Sequence, residues 1–305
     1  MKFDLLEQLC AIHAPSGDES LMKEFLLNYI SKNAKNWKVQ PEVFDNDEFG
    51  DSFILKFGNP KTAVFTHIDS IGFQVKYGKE LIKIGGPRTV SGYRLKGTDS
   101  YGDLNCMLSV KKDKSIHYKG SRLIDSGTTL TFESNFRETE TFIQNCYLDN
   151  RLGNFVALKL AETLENGLIC FSTYEEHGGG NAEFLGKFIY EKFAVRQALI
   201  CDITWVTPGV KHGLGVAISI RDSGIPRRKF VNKIIGLAQQ SQIPFQIEVE
   251  SAGGSDGISL QKSSYPFDWC FIGAPEDFVH SPDEKVHKAD VASMLHMYQY
   301  IMKFL

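Results

Sequence analysis

Thr62-Ala63-Val64-Phe65-Thr66-His67-Ile68-Asp69 is the stretch on which the fold turns. Its apolar centre predicts a strand over 62–66, covered on both faces as in a parallel or mixed sheet. Polar residues follow at once. The same pattern recurs along the chain. Apolar runs at 168–171, 198–201, 216–220, 245–249 and 269–272 predict further strands, and 50–58 predicts one just before the first. Helical spacing fills the intervals. Leu5, Leu6, Leu9 and Ile12 share one face, and so do Met22, Phe25, Leu26 and Ile30 within a helix over 19–33. Further helices are predicted over 154–165, 182–193, 228–240 and 289–304. Strands alternating with helices predict an α/β layer fold.

Between 74 and 145 the helical period disappears. Short β-like runs such as Leu108-Ser109-Val110 and Thr128-Thr129-Leu130-Thr131-Phe132 alternate with Gly, Asp and Lys turns. The expected organisation is one α/β domain from 1–73 and 146–305, split by a small β domain over 74–145. With 305 residues the chain can bury a substantial core, and a net charge of -3 argues against a broad basic face for nucleic acid. No run of about 18 apolar residues predicts a membrane span. Lys2, Asp4 and Glu7 interrupt what a signal peptide needs. The cysteines at 10, 106, 146, 170, 201 and 270 form no CxxC pair, which points to reduced, buried thiols in a cytoplasmic protein.

Polar residues at strand ends are where ligands bind in open α/β sheets. His67 and Asp69 lie two apart and point the same way in an extended chain. A carboxylate behind an imidazole fixes the tautomer of a metal-bound histidine, although a turn or helix-cap aspartate would look the same. Asp149-Asn150 suits a helix N-cap, a role that leaves a carboxylate oxygen free. Glu175-Glu176 precedes three glycines; one acid could ligate and the other move protons, or both could form a solvated turn. Asp202 and His280 also follow apolar runs, where turn residues are common. Taken together, two imidazoles and three carboxylates (His67, Asp149, Glu176, Asp202, His280) match the charge of two divalent ions and one bridging hydroxide. Such mixed donors suit zinc, cobalt or manganese rather than calcium. Glu175 is then left as the general base a metal hydrolase needs.

The ordered set His67-Ile68-Asp69-Ser70-Ile71-Gly72-Phe73, Leu148-Asp149-Asn150-Arg151-Leu152-Gly153, Glu175-Glu176, Cys201-Asp202-Ile203-Thr204, Gly253-Gly254-Ser255-Asp256 and His280-Ser281-Pro282 resembles the glutamyl and tetrahedral aminopeptidase family (M42) of metallopeptidases. Ala14-Pro15-Ser16-Gly17-Asp18-Glu19 is similar to that family's start. The resemblance implies a phosphorylase/hydrolase-like α/β/α sandwich with a mixed sheet and an inserted small β-barrel or PDZ-like domain. It implies two divalent ions, zinc foremost, bridged by Asp149. His67 and Asp202 would complete one site, Glu176 and His280 the other. Glu175 would be the general base and Asp69 would orient His67. Ser70 and the segment His177-Gly178-Gly179-Gly180-Asn181 depart from the family pattern, and the insertion is shorter than usual.

The expected activity is removal of N-terminal residues from peptides with a free amine, with a metal-bridging hydroxide as nucleophile. A dimer or dodecamer is implied, without a nucleic-acid or membrane partner. The rival readings are a metal-dependent deacylase or carboxypeptidase-like amidase, and an inactive metal-binding scaffold. A glycosidase fits poorly, because adjacent Glu175 and Glu176 do not flank a bond. His177 could line the pocket, His287 reads as surface, and His13, His117, His212 and His296 show no carboxylates around them.

Overall fold

In the computed structural model, which describes residues 1–305, the strand Thr62–His67 is buried along its whole length. Val64 points into one core and Ala63 and Phe65 into another, as period-2 alternation requires. The strands Gly167–Ser172, Thr62–His67, Gln197–Trp205 and Asp268–Asp277 run parallel and adjacent at the centre of a mixed sheet. Phe53–Phe57 adds antiparallel to Gly167–Ser172. Val216–Arg221 pairs with both Phe245–Val249 and Asp268–Asp277.

Helices cover both faces. Val64, Leu199, Cys201, Cys270 and Ile272 share a core with residues of Asp4–Ala11, Ser20–Asn33, Leu148–Ala161, Arg228–Ser241 and Lys288–Ile301. Phe65, Cys170, Ile200 and Phe271 pack with residues of Ala182–Phe193 and Asp256–Lys262 on the other side. The result is the α/β/α sandwich that the sequence reading expects. All six cysteines are free and buried.

Six strands close into a barrel, the first beginning at Gly72 and the last ending at Phe132. Its interior holds Phe73, Leu81, Leu95, Leu108, Leu130 and Phe132. The segment after it departs from the expected boundary. Phe142–Asn145 leaves the barrel and pairs with Glu284–His287, and Arg137–Glu138 pairs with Phe142–Asn145 at the edge of the large sheet. Four-residue strands carry too little periodicity to announce which sheet they join.

The helix Leu148–Ala161 is stapled to the strand ends by amides. Asn150 Nδ2 donates to Thr66 Oγ1 (3.2 Å) and to the Cys201 carbonyl (3.0 Å). Asn154 Nδ2 donates to the His67 carbonyl (2.9 Å). Asn150 Oδ1 accepts from Gly153 N–H (2.9 Å), which makes Asn150 the capping residue. Gly153 is required by close approach: a Cβ there would lie 2.2 Å from both Asn150 Oδ1 and the Cys201 carbonyl oxygen. Gly153→Ala should therefore lower stability by about 1–3 kcal/mol. The check is a shift of the urea midpoint at constant slope; an unchanged midpoint would mean the helix can move off the sheet without cost.

Candidate metal centre and active site

Parallel register brings the site together. Ser172 pairs with His67, and Ile200 with Phe65, so His67 and Asp202 come level at the same sheet edge. Glu175 and Glu176 follow the end of Gly167–Ser172. His280 lies between Asp268–Asp277 and Glu284–His287. Ligand sites gather at these carboxyl ends for topological reasons.

Asp149 stands in the middle. Its Oδ1 is 3.3 Å from His67 Nε2 and its Oδ2 is 3.3 Å from His280 Nε2. Asp202 Oδ2 is 3.6 Å from His67 Nε2, and Glu176 Oε2 is 3.1 Å from His280 Nε2. Two groups result, His67–Asp149–Asp202 and Asp149–Glu176–His280, each with its donor atoms within 4.8 Å of one another. The structure thus brings together all five residues singled out as ligands. Glu175 lines the same cavity of about 260 Å³.

Asp69 is wholly buried behind this cluster. Its Oδ1 lies 3.3 Å from His67 Nδ1 and accepts from Glu175 N–H (3.1 Å). Its Oδ2 accepts from Glu176 N–H (3.1 Å) and Ser16 Oγ (2.6 Å). One carboxylate therefore fastens both the imidazole and the Glu175-Glu176 backbone. Below it the buried Arg151 donates to the carbonyls of Ile68 and Asp69. On the other side, His280 Nδ1 faces the Gly86 carbonyl (3.3 Å), which leaves Nε2 for the cavity. Gly86 sits just beyond the barrel strand Glu80–Ile84, so the inserted part contributes backbone to the site.

The electrostatics are those of a centre that wants cations. Burial and neighbouring acids push Glu176 up to about 7, with Asp149 the largest neighbour. Burial raises Glu175 well above the carboxylate range; His67 opposes, while Asp202, Glu176 and Asp256 add to the rise. Burial would lower His280, but Asp149 and Glu176 overcome it and push the imidazole up to about 12. Burial opposes ionisation of Asp149 too, yet the two imidazoles hold its carboxyl well below normal. His67 Nε2 and Glu176 Oε1 are buried without a hydrogen-bond partner. Buried polar atoms left open in this way cost free energy unless something coordinates them. The donor set, nitrogen and oxygen mixed, fits divalent transition ions.

Several residues escape a reading by spacing. Glu284 accepts from Asp149 N–H (3.2 Å) and His280 N–H (2.8 Å), joining the backbones of two candidate ligands. Asp256, already part of the Gly253-Gly254-Ser255-Asp256 motif, is buried, bonds to the Ser172 hydroxyl, and is pushed up to about 6 by burial. Asp222, Glu248 and Glu250 line the cavity beyond Asp202. Glu248 belongs to a predicted strand, and that position is the one signal available. Among the histidines, His177 is not part of the cavity lining and accepts from Gly85 N–H (3.0 Å). His212 does have carboxylates: Asp277 lies 3.1 Å and Asp290 4.0 Å away, from segments too distant in sequence for spacing to reveal. His13 likewise lies 3.4 Å from Asp18.

Fold and cluster define a class: an α/β/α sandwich enzyme with a buried imidazole–carboxylate centre able to hold metal. A profile of the M42 glutamyl aminopeptidase family matches residues 113–297. The chain belongs to that family and is a metal-dependent aminopeptidase, a hydrolase of peptide bonds. It is 27% identical to an Acetivibrio thermocellus protein inferred to be an aminopeptidase, over 95% of this chain and 94% of the relative. Among solved structures, an aminopeptidase from the archaeon Desulfurococcus kamchatkensis superposes with a TM-score of 0.86 at 21% identity, covering 99% and 94% of the two chains. The Pyrococcus horikoshii TET1 peptidase, which can assemble into a tetrahedron or a large octahedral shell, superposes with a TM-score of 0.83 at 19% identity over 99% of each. These two likenesses show the fold.

Metal binding should be strongly pH-dependent, because the imidazoles and Glu176 must lose their protons before they can ligate. Zinc added to metal-free protein should raise Tm more at pH 8 than at pH 6, because protons compete less for Glu176 and the imidazoles at the higher pH. Asp149→Ala should abolish the increment. Scanning calorimetry checks this, and an equal shift at both pH values would count against the assignment.

Proposed function

We propose that the chain removes N-terminal residues from peptides with a free amine, using two divalent ions bridged by Asp149. The supporting observation is that the two oxygens of Asp149 each face a different imidazole at 3.3 Å. His67 and Asp202 would complete one site, and Glu176 and His280 the other. Zinc is the first choice, and cobalt or manganese share these donors. When bound, such ions polarise the scissile carbonyl and acidify water near neutral pH.

Glu175 is the general base in this reading. It lines the cavity and belongs to neither of the two ligand groups. Burial gives it proton affinity well above an ordinary carboxylate. It takes the proton of the attacking water and returns it to the leaving amine. Asp69 positions both His67 and the Glu175 backbone. The acid-lined cavity favours the ammonium of a free N-terminus, which accounts for exopeptidase action. We further read the chain as a homo-oligomer, a dimer or dodecamer. Support comes from the tetrahedral and octahedral assemblies of the Pyrococcus horikoshii peptidase of the same fold. Buried free thiols support a cytoplasmic location; no helix is long and apolar enough to cross a membrane.

The test is hydrolysis of aminoacyl-p-nitroanilides by metal-loaded protein. Glu175→Gln should lose about 10²–10⁴-fold in kcat, and N-acetylated substrates should be inert. Cleavage of acetylated substrates would favour a deacylase. No cleavage of any free-amine substrate with two ions bound would overturn the reading.

A further inference from the structure

Seven carboxylates line the cavity beside a single imidazole, and no lysine or arginine does. Asp149, Glu176 and Asp202 are assigned to the ions and Glu175 to the proton. Asp222, Glu248 and Glu250 remain, near enough to one another for Asp222 and Glu250 to act on Glu248. Asp222 is 7% exposed and Glu248 is 4% exposed. Each uses one oxygen locally: Asp222 Oδ1 accepts from Gly224 N–H (2.5 Å), and Glu248 Oε1 accepts from the Thr204 hydroxyl. Their second oxygens take no hydrogen bond from the protein. In the same cavity, Glu176 Oε1 is buried and wholly unpartnered. Arg221 lies outside the lining, with its Nε turned to the Asp222 carbonyl (3.3 Å).

Ionised carboxylates in such a place call for a cation. Burial raises both Asp222 and Glu248, and Glu248 is raised further by Asp222 and Glu250. The lining also includes Ile203, Trp205 and Phe271. Carboxylates beside the apolar surface of Trp205 are complementary to an aliphatic stem that ends in a positive charge. The indole of Trp205, 44% exposed at the rim, can also stack on a guanidinium. A cavity of about 260 Å³ accommodates one side chain rather than a length of peptide.

We propose that this cavity selects a basic N-terminal residue, lysine or arginine, with Asp222, Glu248 and Glu250 receiving its charge. The proposal rests on the aminopeptidase reading above. It runs against the glutamyl preference carried in the family's name, because a glutamyl side chain would add another carboxylate to the three already there.

The decisive comparison is lysyl- against norleucyl-p-nitroanilide, which share a stem and differ in the terminal ammonium; leucyl and glutamyl substrates complete the set. The lysyl substrate should lead in kcat/KM by roughly 10- to 100-fold, the span of one or two charge-assisted hydrogen bonds. Glu248→Gln should cut that ratio about tenfold. Glu250→Gln, at a half-buried position that folding tolerates more easily, should cut it in the same direction. Calorimetry on metal-loaded Glu175→Gln should show L-lysinamide binding more tightly than L-norleucinamide, independently of turnover. A leucyl, norleucyl or glutamyl preference would overturn the basic specificity and leave the aminopeptidase intact. A lysyl preference unchanged in both acid variants would also overturn this assignment of the pocket. No cleavage of any substrate by protein with both ions bound would overturn both readings.

Discussion

Several acidic groups share one cavity, and most of this molecule's active end is arranged around that constraint. Ionised carboxylates so close together repel, and burial removes the water that would screen them. The protein meets the constraint locally with imidazoles. Asp149, set between His67 and His280, is held ionised, while Glu175 and Glu176, with fewer cationic neighbours, are pushed toward protonation. The same imbalance makes the centre a receptor for divalent cations. It also separates the acids by proton affinity: Asp149 is strongly stabilised as a carboxylate, while Glu175 is among the groups that hold a proton most readily.

Holding that arrangement requires rigid backing. Asp69 reaches the His67 ring and two backbone N–H groups of the Glu175-Glu176 turn, and Glu284 receives the N–H groups of Asp149 and His280. Asn150 and Asn154 pin the helix that carries Asp149 to two strand ends. The functional side chains thus hang from a network of backbone hydrogen bonds. Loops converge here because the central strands are parallel and all end at the same edge. The barrel contributes through Gly86, so the inserted part is also a wall of the site.

The strand and helix pattern was legible along much of the chain because its periodicities are strong. Ala182–Phe193 and Arg228–Ser241 fall within a residue of their expected bounds. The edge pieces were not legible. Arg137–Glu138 and Phe142–Asn145 lie in a β-rich stretch, and nothing in two or four residues tells a barrel strand from a sheet-edge strand. His212 looked solitary because its carboxylates, Asp277 and Asp290, arrive from another strand and another helix.

By itself the sequence determined the alternation of apolar strands and amphipathic helices, the β-rich interruption, and an ordered series of His, Asp and Glu residues behind apolar runs. Local spacing and residue chemistry suffice for these. Only the tertiary structure decided that Asp149 faces two imidazoles at equal distance and that Glu284 secures the backbone beneath them. It alone gathered Asp222, Glu248 and Glu250 into one pocket. Those relations depend on register between strands and on which segments share a sheet edge. Such long-range geometry is set by packing, and no local pattern of residues encodes it.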